Sequence, residues 1–181
     1  RIDAYRATRW ALTHGWLTGN VPSAADGSAI AGATVEGHRL ESEDTFKVTS
    51  DDLGTYRVAA PEGTYLVEVR DFGFALRTFP KVEVIQGFSS LVDFPLEPLP
   101  RVWLTGQVLA NGTPVVGATV RLLDTPAEAQ TDAEGCYELL VPPGIYDLEV
   151  TRVGFRKAQV RGLEVTGDTT QDFDLDHAPR L

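Results

Sequence analysis

The residues best suited to chemistry are three aspartates near the end of the chain. Asp172, Asp174 and Asp176 alternate with Phe173 and Leu175. Alternate side chains of a β-strand point to opposite faces, so the carboxylates would share one face while the apolar pair points inward. Oxygen ligands suit calcium, but like charges without carbonyl groups from a turn form a poor cage. We interpret the pattern as a charged outer face that discourages edge-to-edge association, with calcium as the alternative and no other cofactor expected.

Exposed aromatic rings are a second kind of candidate site. Trp16 and Trp103 each stand at the start of a predicted strand, at equivalent positions in two similar halves of the chain. Paired tryptophans could form a platform on which sugar rings stack, which makes them candidate ligand-binding residues. Packing at the edge of each unit is the favoured interpretation, because large aromatic side chains are mostly buried.

The chain carries none of the common catalytic motifs. Gly-x-Ser-x-Gly, His-Glu-x-x-His, Gly-x-Gly-x-x-Gly and a phosphate-binding loop are all missing from the sequence. The histidines, His14, His38 and His177, are scattered, and Cys136 has no second cysteine with which to form an internal disulfide. Without a convergent acid, base and nucleophile, we predict that this chain is not an enzyme.

Composition narrows the classes of partner. The formal net charge is -10, which argues against a nucleic-acid partner because phosphate binding needs a basic face. No apolar run approaches the roughly 18 residues of a membrane span. The chain begins at Arg1 and contains no methionine, so we expect it to be a piece of a longer protein.

The elements that would position these residues are short strands. Residues 55–60, 64–70 and 136–141 are rich in valine, tyrosine and leucine and lie beside Pro-Glu-Gly or Pro-Pro-Gly turns. Many short strands at close spacing indicate an antiparallel sandwich rather than a parallel sheet with crossover helices.

The second half of the chain repeats the first. Residues 51–84 align without gaps to residues 132–165, which indicates a duplication of about 80 residues. The prolines between Glu97 and Arg101 mark the seam, so we predict domains at residues 16–99 and 100–181.

The repeated residues include a turn motif. Asp51 precedes Gly54 by three residues, as Asp132 precedes Gly135. This spacing predicts a tight turn in which the carboxylate accepts backbone N–H groups and the glycine takes a positive φ.

The order of the motifs resembles the carboxypeptidase regulatory-like family. The second half carries Gly106-Gln-Val108, Thr131-Asp-Ala-Glu-Gly-Cys-Tyr137 and Pro142-Pro-Gly-Ile-Tyr146. The first half departs from the pattern, with Ser50 in place of the threonine and Glu62 in the double proline. The resemblance implies an all-β fold of two tandem seven-stranded antiparallel β-sandwiches, similar to transthyretin (prealbumin). Such domains are accessory modules without shared catalytic residues.

Residues 1–15 predict a short N-terminal α-helix. Asp3 suits the N-cap, Ala4, Ala7 and Ala11 share one face, and His14-Gly15 would end the helix. The segment from Arg1 to Ala7 resembles the closing helix of subtilisin-like serine proteases. That resemblance implies that the helix is the end of an upstream protease domain.

Together these resemblances imply a non-catalytic C-terminal accessory region of a secreted subtilisin-like serine protease. It would act as a spacer or stabiliser, or as a docking module for a protein substrate or the cell surface. The alternative is a carbohydrate-binding or adhesion module of a surface protein. Both imply an extracellular or cell-surface location and a protein or polysaccharide partner.

Overall fold

The computed structural model describes residues 13–178. Every regular element in this range is a β-strand, which confirms the all-β prediction. No helix among the described residues is long and apolar enough to cross a membrane. The predicted helix falls on residues 1–12, outside the described residues, apart from its expected end at His14 and Gly15. Those two residues instead begin the first strand, where a Cβ on Gly15 would overlap the carbonyl oxygen of Ile85.

The chain divides into two compact units, the first ending at Leu99 and the second beginning at Pro100. The described part of the first unit has seven strands: β1 (His14–Asn20), β2 (Thr34–Arg39), β3 (Thr45–Thr49), β4 (Thr55–Pro61), β5 (Gly63–Arg70), β6 (Arg77–Val84) and β7 (Ser89–Leu91). They form two sheets, with the strand orders β4-β1-β7 and β3-β2-β5-β6. The pairings are antiparallel, except that β7 runs parallel to β1.

The second unit repeats this arrangement with a divided last strand and one additional short strand, β9. Its strands are β8 (Val102–Ala110), β9 (Thr113–Pro114), β10 (Thr119–Leu122), β11 (Glu128–Gln130), β12 (Cys136–Val141), β13 (Gly144–Thr151), β14 (Ala158–Val165), β15 (Thr169–Thr170) and β16 (Phe173–Asp174). One sheet has the order β11-β10-β13-β14, and the other has the order β12-β8-β15. Both β15 and β16 pair in parallel with β8, so together they correspond to β7.

Each unit buries the alternate residues of its strands. Leu17 and Leu104 are fully buried, whereas their neighbours Trp16 and Trp103 point to the outer side of the sheet. Burying a side chain of this size stabilises the fold by about 1.5–3 kcal/mol. Other large side chains that are fully buried are Tyr56, Tyr65, Phe94, Leu96, Leu122, Tyr137 and Leu148.

Two buried hydroxyl groups hold equivalent loops. Thr131 donates to the carbonyl oxygen of Val115 at 2.5 Å and accepts from the N–H of Ala118 at 2.8 Å. Ser50 makes the same pair of bonds in the first unit, to Ile30 and Ala33 at 2.7 and 2.9 Å. The departure of Ser50 from the family pattern therefore preserves both hydrogen bonds.

A bulge shifts the register between β5 and β6 in the first unit and between β13 and β14 in the second. In the second unit Gly162 lies in this bulge with a φ of 66°, a backbone conformation that glycine adopts at little cost. In the first unit the same position is Lys81, with a φ of 63°. The first unit therefore keeps a strained non-glycine residue on an edge strand.

Candidate binding face

The Asp-x-x-Gly segments form closely similar turns in the two units. Asp132 accepts hydrogen bonds from the N–H groups of Glu134 and Cys136 at 3.0 and 2.7 Å, and Gly135 has a φ of 76°. Asp51 accepts from the equivalent N–H groups of Leu53 and Thr55, and Gly54 has a φ of 72°. Both carboxylates therefore stabilise the scaffold.

The C-terminal aspartates also accept hydrogen bonds from the backbone. Phe173 and Leu175 are buried and the three aspartates are exposed, as strand alternation predicts. Asp172 accepts from the N–H of Gln107 at 2.8 Å, and Asp174 accepts from the N–H of Asn111 at 3.3 Å.

The three C-terminal aspartates do not form a cluster of calcium ligands. Among residues 13–178, no three or more His, Cys, Asp or Glu side chains are grouped so that they could hold a metal ion. Asp172 and Asp174 bond to different parts of the chain around β8. The sequence pattern thus places Asp172, Asp174 and Asp176 on one face without gathering them into a site.

The outer side of the sheet β12-β8-β15 presents a small array of side chains. On β12 and β8 the cross-strand pairs are Leu140 with Trp103, Glu138 with Thr105, and Cys136 with Gln107. The last segment of the chain adds Asp168, Thr170 and Asp172 beside β8. We call these nine residues the outer face of unit 2.

The two tryptophans have different surroundings. Trp103 is 46% exposed on the outer face of unit 2, so the expected burial at the unit edge is wrong for this residue. Trp16 is only partly exposed, and the guanidinium carbon of Arg57 lies 4.1 Å from the centre of its ring. Each tryptophan lies on the sheet of its own unit.

A groove of about 390 Å³ crosses the outer face of unit 2. Thr105, Gln107, Glu138, Thr170 and Asp172 are among its lining residues. The hydroxyl groups of Thr105 and Thr170 lie 3.4 Å apart across its floor. The groove therefore offers hydroxyl, amide and carboxylate groups beside an exposed indole.

Cys136 also lines this groove, but its environment disfavours the thiolate. Burial raises the pKa of the Cys136 thiol, and the nearby carboxylates, led by Asp132 and Glu134, raise it further. Because the thiolate is the reactive form, this thiol is a poor nucleophile.

Sequence reasoning missed the contrast between Arg57 and Glu138. These residues stand at equivalent positions of the repeat, opposite Thr18 and Thr105. Comparison of the positions at which the two halves differ could have revealed this contrast. The positions at which they are identical mark the shared fold instead.

The fold defines a tandem of small β-sandwiches, each closed by a last strand that runs parallel to its first. The chain belongs to the carboxypeptidase regulatory-like domain family, whose model matches residues 17–97 and 104–176. A comparison with curated proteins found no match.

Several solved structures resemble the chain at low sequence identity. The TIE protein of Bacillus anthracis is 18% identical with a TM-score of 0.44, over 91% of this chain and 34% of that one. The minor pilin GBS52 of Streptococcus agalactiae is 14% identical with a TM-score of 0.44, over 92% and 98%. The shaft pilin SpaA of Lactobacillus rhamnosus GG is 9% identical with a TM-score of 0.45, over 93% and 99%. The chain therefore spans about a third of the length of the Bacillus anthracis protein.

Proposed function

We propose that this chain is a non-catalytic accessory module of a larger secreted or cell-surface protein, in which it docks a partner. Membership of the carboxypeptidase regulatory-like family supports an accessory role. The observation that carries the docking role is the exposed Trp103 on the same sheet face as a groove lined by Thr105, Gln107 and other residues of that face. Tryptophan is among the side chains that most often dominate binding energy at interfaces.

Several polar side chains near the outer face of unit 2 are engaged in hydrogen bonds to the backbone, which favours a binding role over a catalytic one. The carboxylates of Asp132 and Asp172 accept backbone N–H groups, and the hydroxyl of Tyr137 donates to a backbone carbonyl. Burial raises the pKa of the Tyr137 hydroxyl well above its usual value, which disfavours its use as a base at neutral pH. These groups stabilise the sandwich that presents the outer face of unit 2.

The finer proposal is that the larger protein is a subtilisin-like serine protease. It rests on the resemblance of residues 1–7 to the closing segment of such proteases. In that setting, the tandem would act as a spacer that presents a docked protein to the catalytic domain. A Gly-Thr-Ser motif shortly upstream of Arg1 is the expected finding, and a different upstream domain would contradict the finer proposal alone.

Hydrolysis assays on this chain test the accessory role. We expect no turnover of casein or simple esters above the rate in buffer. Turnover that a single substitution such as His14→Ala or His177→Ala abolishes would overturn the proposal, because contaminating enzymes would not respond to that change.

Carbohydrate binding is the second candidate function, and the same exposed indole favours it. Its direct test is depletion of the protein from solution by cellulose or chitin particles. Depletion that is lost in Trp103→Ala but kept in Trp16→Ala would favour this candidate.

A further inference from the structure

The two units differ in charge at the position opposite Thr18 and Thr105, which lies diagonally across the strand pair from the outer tryptophan. In the first unit this position is Arg57, whose guanidinium carbon lies 4.1 Å from the centre of the Trp16 ring. In the second unit the equivalent residue is Glu138, which pairs with Thr105, two residues along β8 from Trp103, and Trp103 is 46% exposed. The first unit places its own cation over the indole, whereas the second unit has an exposed tryptophan and a carboxylate on neighbouring strands of one face.

An open indole and a nearby carboxylate are the two components of a guanidinium site. A guanidinium group is attracted to the face of a tryptophan ring. Its planar set of N–H donors also pairs with a carboxylate through two parallel hydrogen bonds. The first unit shows that a guanidinium fits over the indole on this kind of sheet face.

We propose that the outer face of unit 2 binds an arginine side chain presented by a basic segment of a partner protein. The guanidinium stacks on Trp103 and pairs with Glu138. This inference rests on the proposed docking function and names the chemistry of the docked partner.

The charge of the face complements such a segment. The outer face of unit 2 carries Glu138, Asp168 and Asp172, and none of its nine residues is cationic. The negative charges around Cys136 also include Asp132 and Glu134. A basic segment therefore gains favourable charge interactions along the face, which salt would screen.

The groove accommodates the residues that flank the arginine. It extends along β8 from Thr105 to Gln107, away from Trp103. An extended peptide chain could place its backbone N–H and carbonyl groups against Gln107 and Thr170. Hydroxyl and amide side chains satisfy both kinds of backbone group.

A basic protein segment explains the charge of the face better than a saccharide does. An uncharged sugar would use the indole but would gain nothing from the net charge of the surrounding carboxylates. Acidic polysaccharides would be repelled by the same carboxylates. The saccharide is therefore the competing outcome of the test.

The probe is a capped Gly-Arg-Gly-Arg-Gly peptide titrated into the intact 181-residue chain labelled with ¹⁵N. The matched control peptide has citrulline in place of arginine, which keeps the shape and removes the charge. We expect the indole N–H signal of Trp103, assigned from Trp103→Phe, to shift with the arginine peptide at up to about 10 mM. The citrulline peptide should leave it unchanged.

Two reciprocal variants exchange the charges at the equivalent positions 138 and 57. Glu138→Arg should place a guanidinium of the chain itself beside Trp103 and abolish the shift. Arg57→Glu reverses the charge at the equivalent position of the first unit and should leave the response of Trp103 unchanged. Glu138→Gln keeps the shape of the side chain and should weaken binding about three- to fivefold, the range expected for loss of one exposed ion pair. All these positions are solvent-exposed, and the dispersion of the remaining amide signals verifies folding.

Three outcomes would overturn the inference. The first is that the Trp103 indole signal does not shift at the highest peptide concentration. The second is an equal shift with the citrulline peptide. The third is a shift with cello- or chito-oligosaccharides but none with the arginine peptide. None of these results concerns hydrolysis, so the accessory role in the proposed function stands or falls separately on the turnover assays.

Discussion

The hydroxyl of Tyr137 donates a hydrogen bond of 2.6 Å to the backbone carbonyl oxygen of Gln171. That carbonyl lies where a Cβ on Gly106 would be, so only glycine permits this approach. The neighbouring N–H of Gln107 then bonds to the carboxylate of Asp172. The first unit repeats this arrangement, since Tyr56 donates to Val92 at 2.7 Å and the carboxylate of Asp93 accepts from the N–H of Asn20 at 2.8 Å.

Gly106→Ala should destabilise the second unit by more than about 2 kcal/mol, because the added Cβ would overlap the carbonyl oxygen of Gln171. Urea unfolding measures the loss, and faster hydrogen exchange in β8 would localise it to the second unit. Gly167→Ala is the matched control, since a Cβ there meets no atom within 4 Å. Equal effects of the two substitutions would contradict the close approach.

Lys81→Gly should stabilise the first unit by about 0.5–1 kcal/mol, because it relieves a left-handed conformation that non-glycine residues adopt at a cost. Gly162→Ala should cost about 1 kcal/mol at the equivalent bulge, where φ is positive although the space is open. Thermal unfolding of both variants checks the opposite signs. A loss of stability in Lys81→Gly would show that the lysine side chain makes a compensating contribution.

Stability should decline in strongly alkaline solution. Burial, with smaller contributions from Asp93 and Asp172, raises the pKa of the Tyr56 and Tyr137 hydroxyls well above the usual value. Above pH of about 10 the unfolded chain therefore loses protons that the folded chain keeps, so the free energy of unfolding should fall by about 1.4 kcal/mol per pH unit for each tyrosine. Below that pH the contribution is fully present.

Urea unfolding between about pH 9 and pH 11 measures this slope. The double variant Tyr56→Phe, Tyr137→Phe should show a flatter dependence, because neither phenylalanine ionises. An unchanged slope in the double variant would assign the alkaline instability to other groups.

Calcium should change stability little. Asp172 and Asp174 already accept backbone hydrogen bonds from Gln107 and Asn111. We expect millimolar calcium to shift the melting temperature by less than about 2 °C, since a ligand that binds the folded state more tightly raises it further. A larger shift that Asp174→Ala removes would restore the calcium alternative, with magnesium at the same concentration as the control for ionic strength.

Much of the fold could be predicted because its determinants are local or repeated. The spacing of Asp132 and Gly135 specifies a turn within four residues, and the alternation around Phe173 specifies which side chains are buried. The prediction that a helix ends at His14 and Gly15 was wrong for these two residues, because a long-range contact places them in a strand. The glycine is required by the approach of Ile85, not by the end of a helix.

The candidate site could be predicted only in part. Trp103 was identifiable from its place in the repeat, but only the strand pairing shows that Leu140 lies opposite it and Glu138 one outward pair further along the same face. Trp16 lies in the same local sequence but is less exposed, and Arg57 lies over its ring.

The amino-acid sequence by itself determined the all-β class, the duplication, the turn chemistry and the inward or outward direction of the side chains. All of these depend on residue types within a few positions or on direct comparison of the two halves. The tertiary structure decided which outward groups remain available. Asp172 is engaged by Gln107, 65 residues away in the chain, and Trp103 is left open. These outcomes depend on contacts between strands that are far apart in the chain. The spacing of residues in the sequence does not determine such distances, and only the folded structure does.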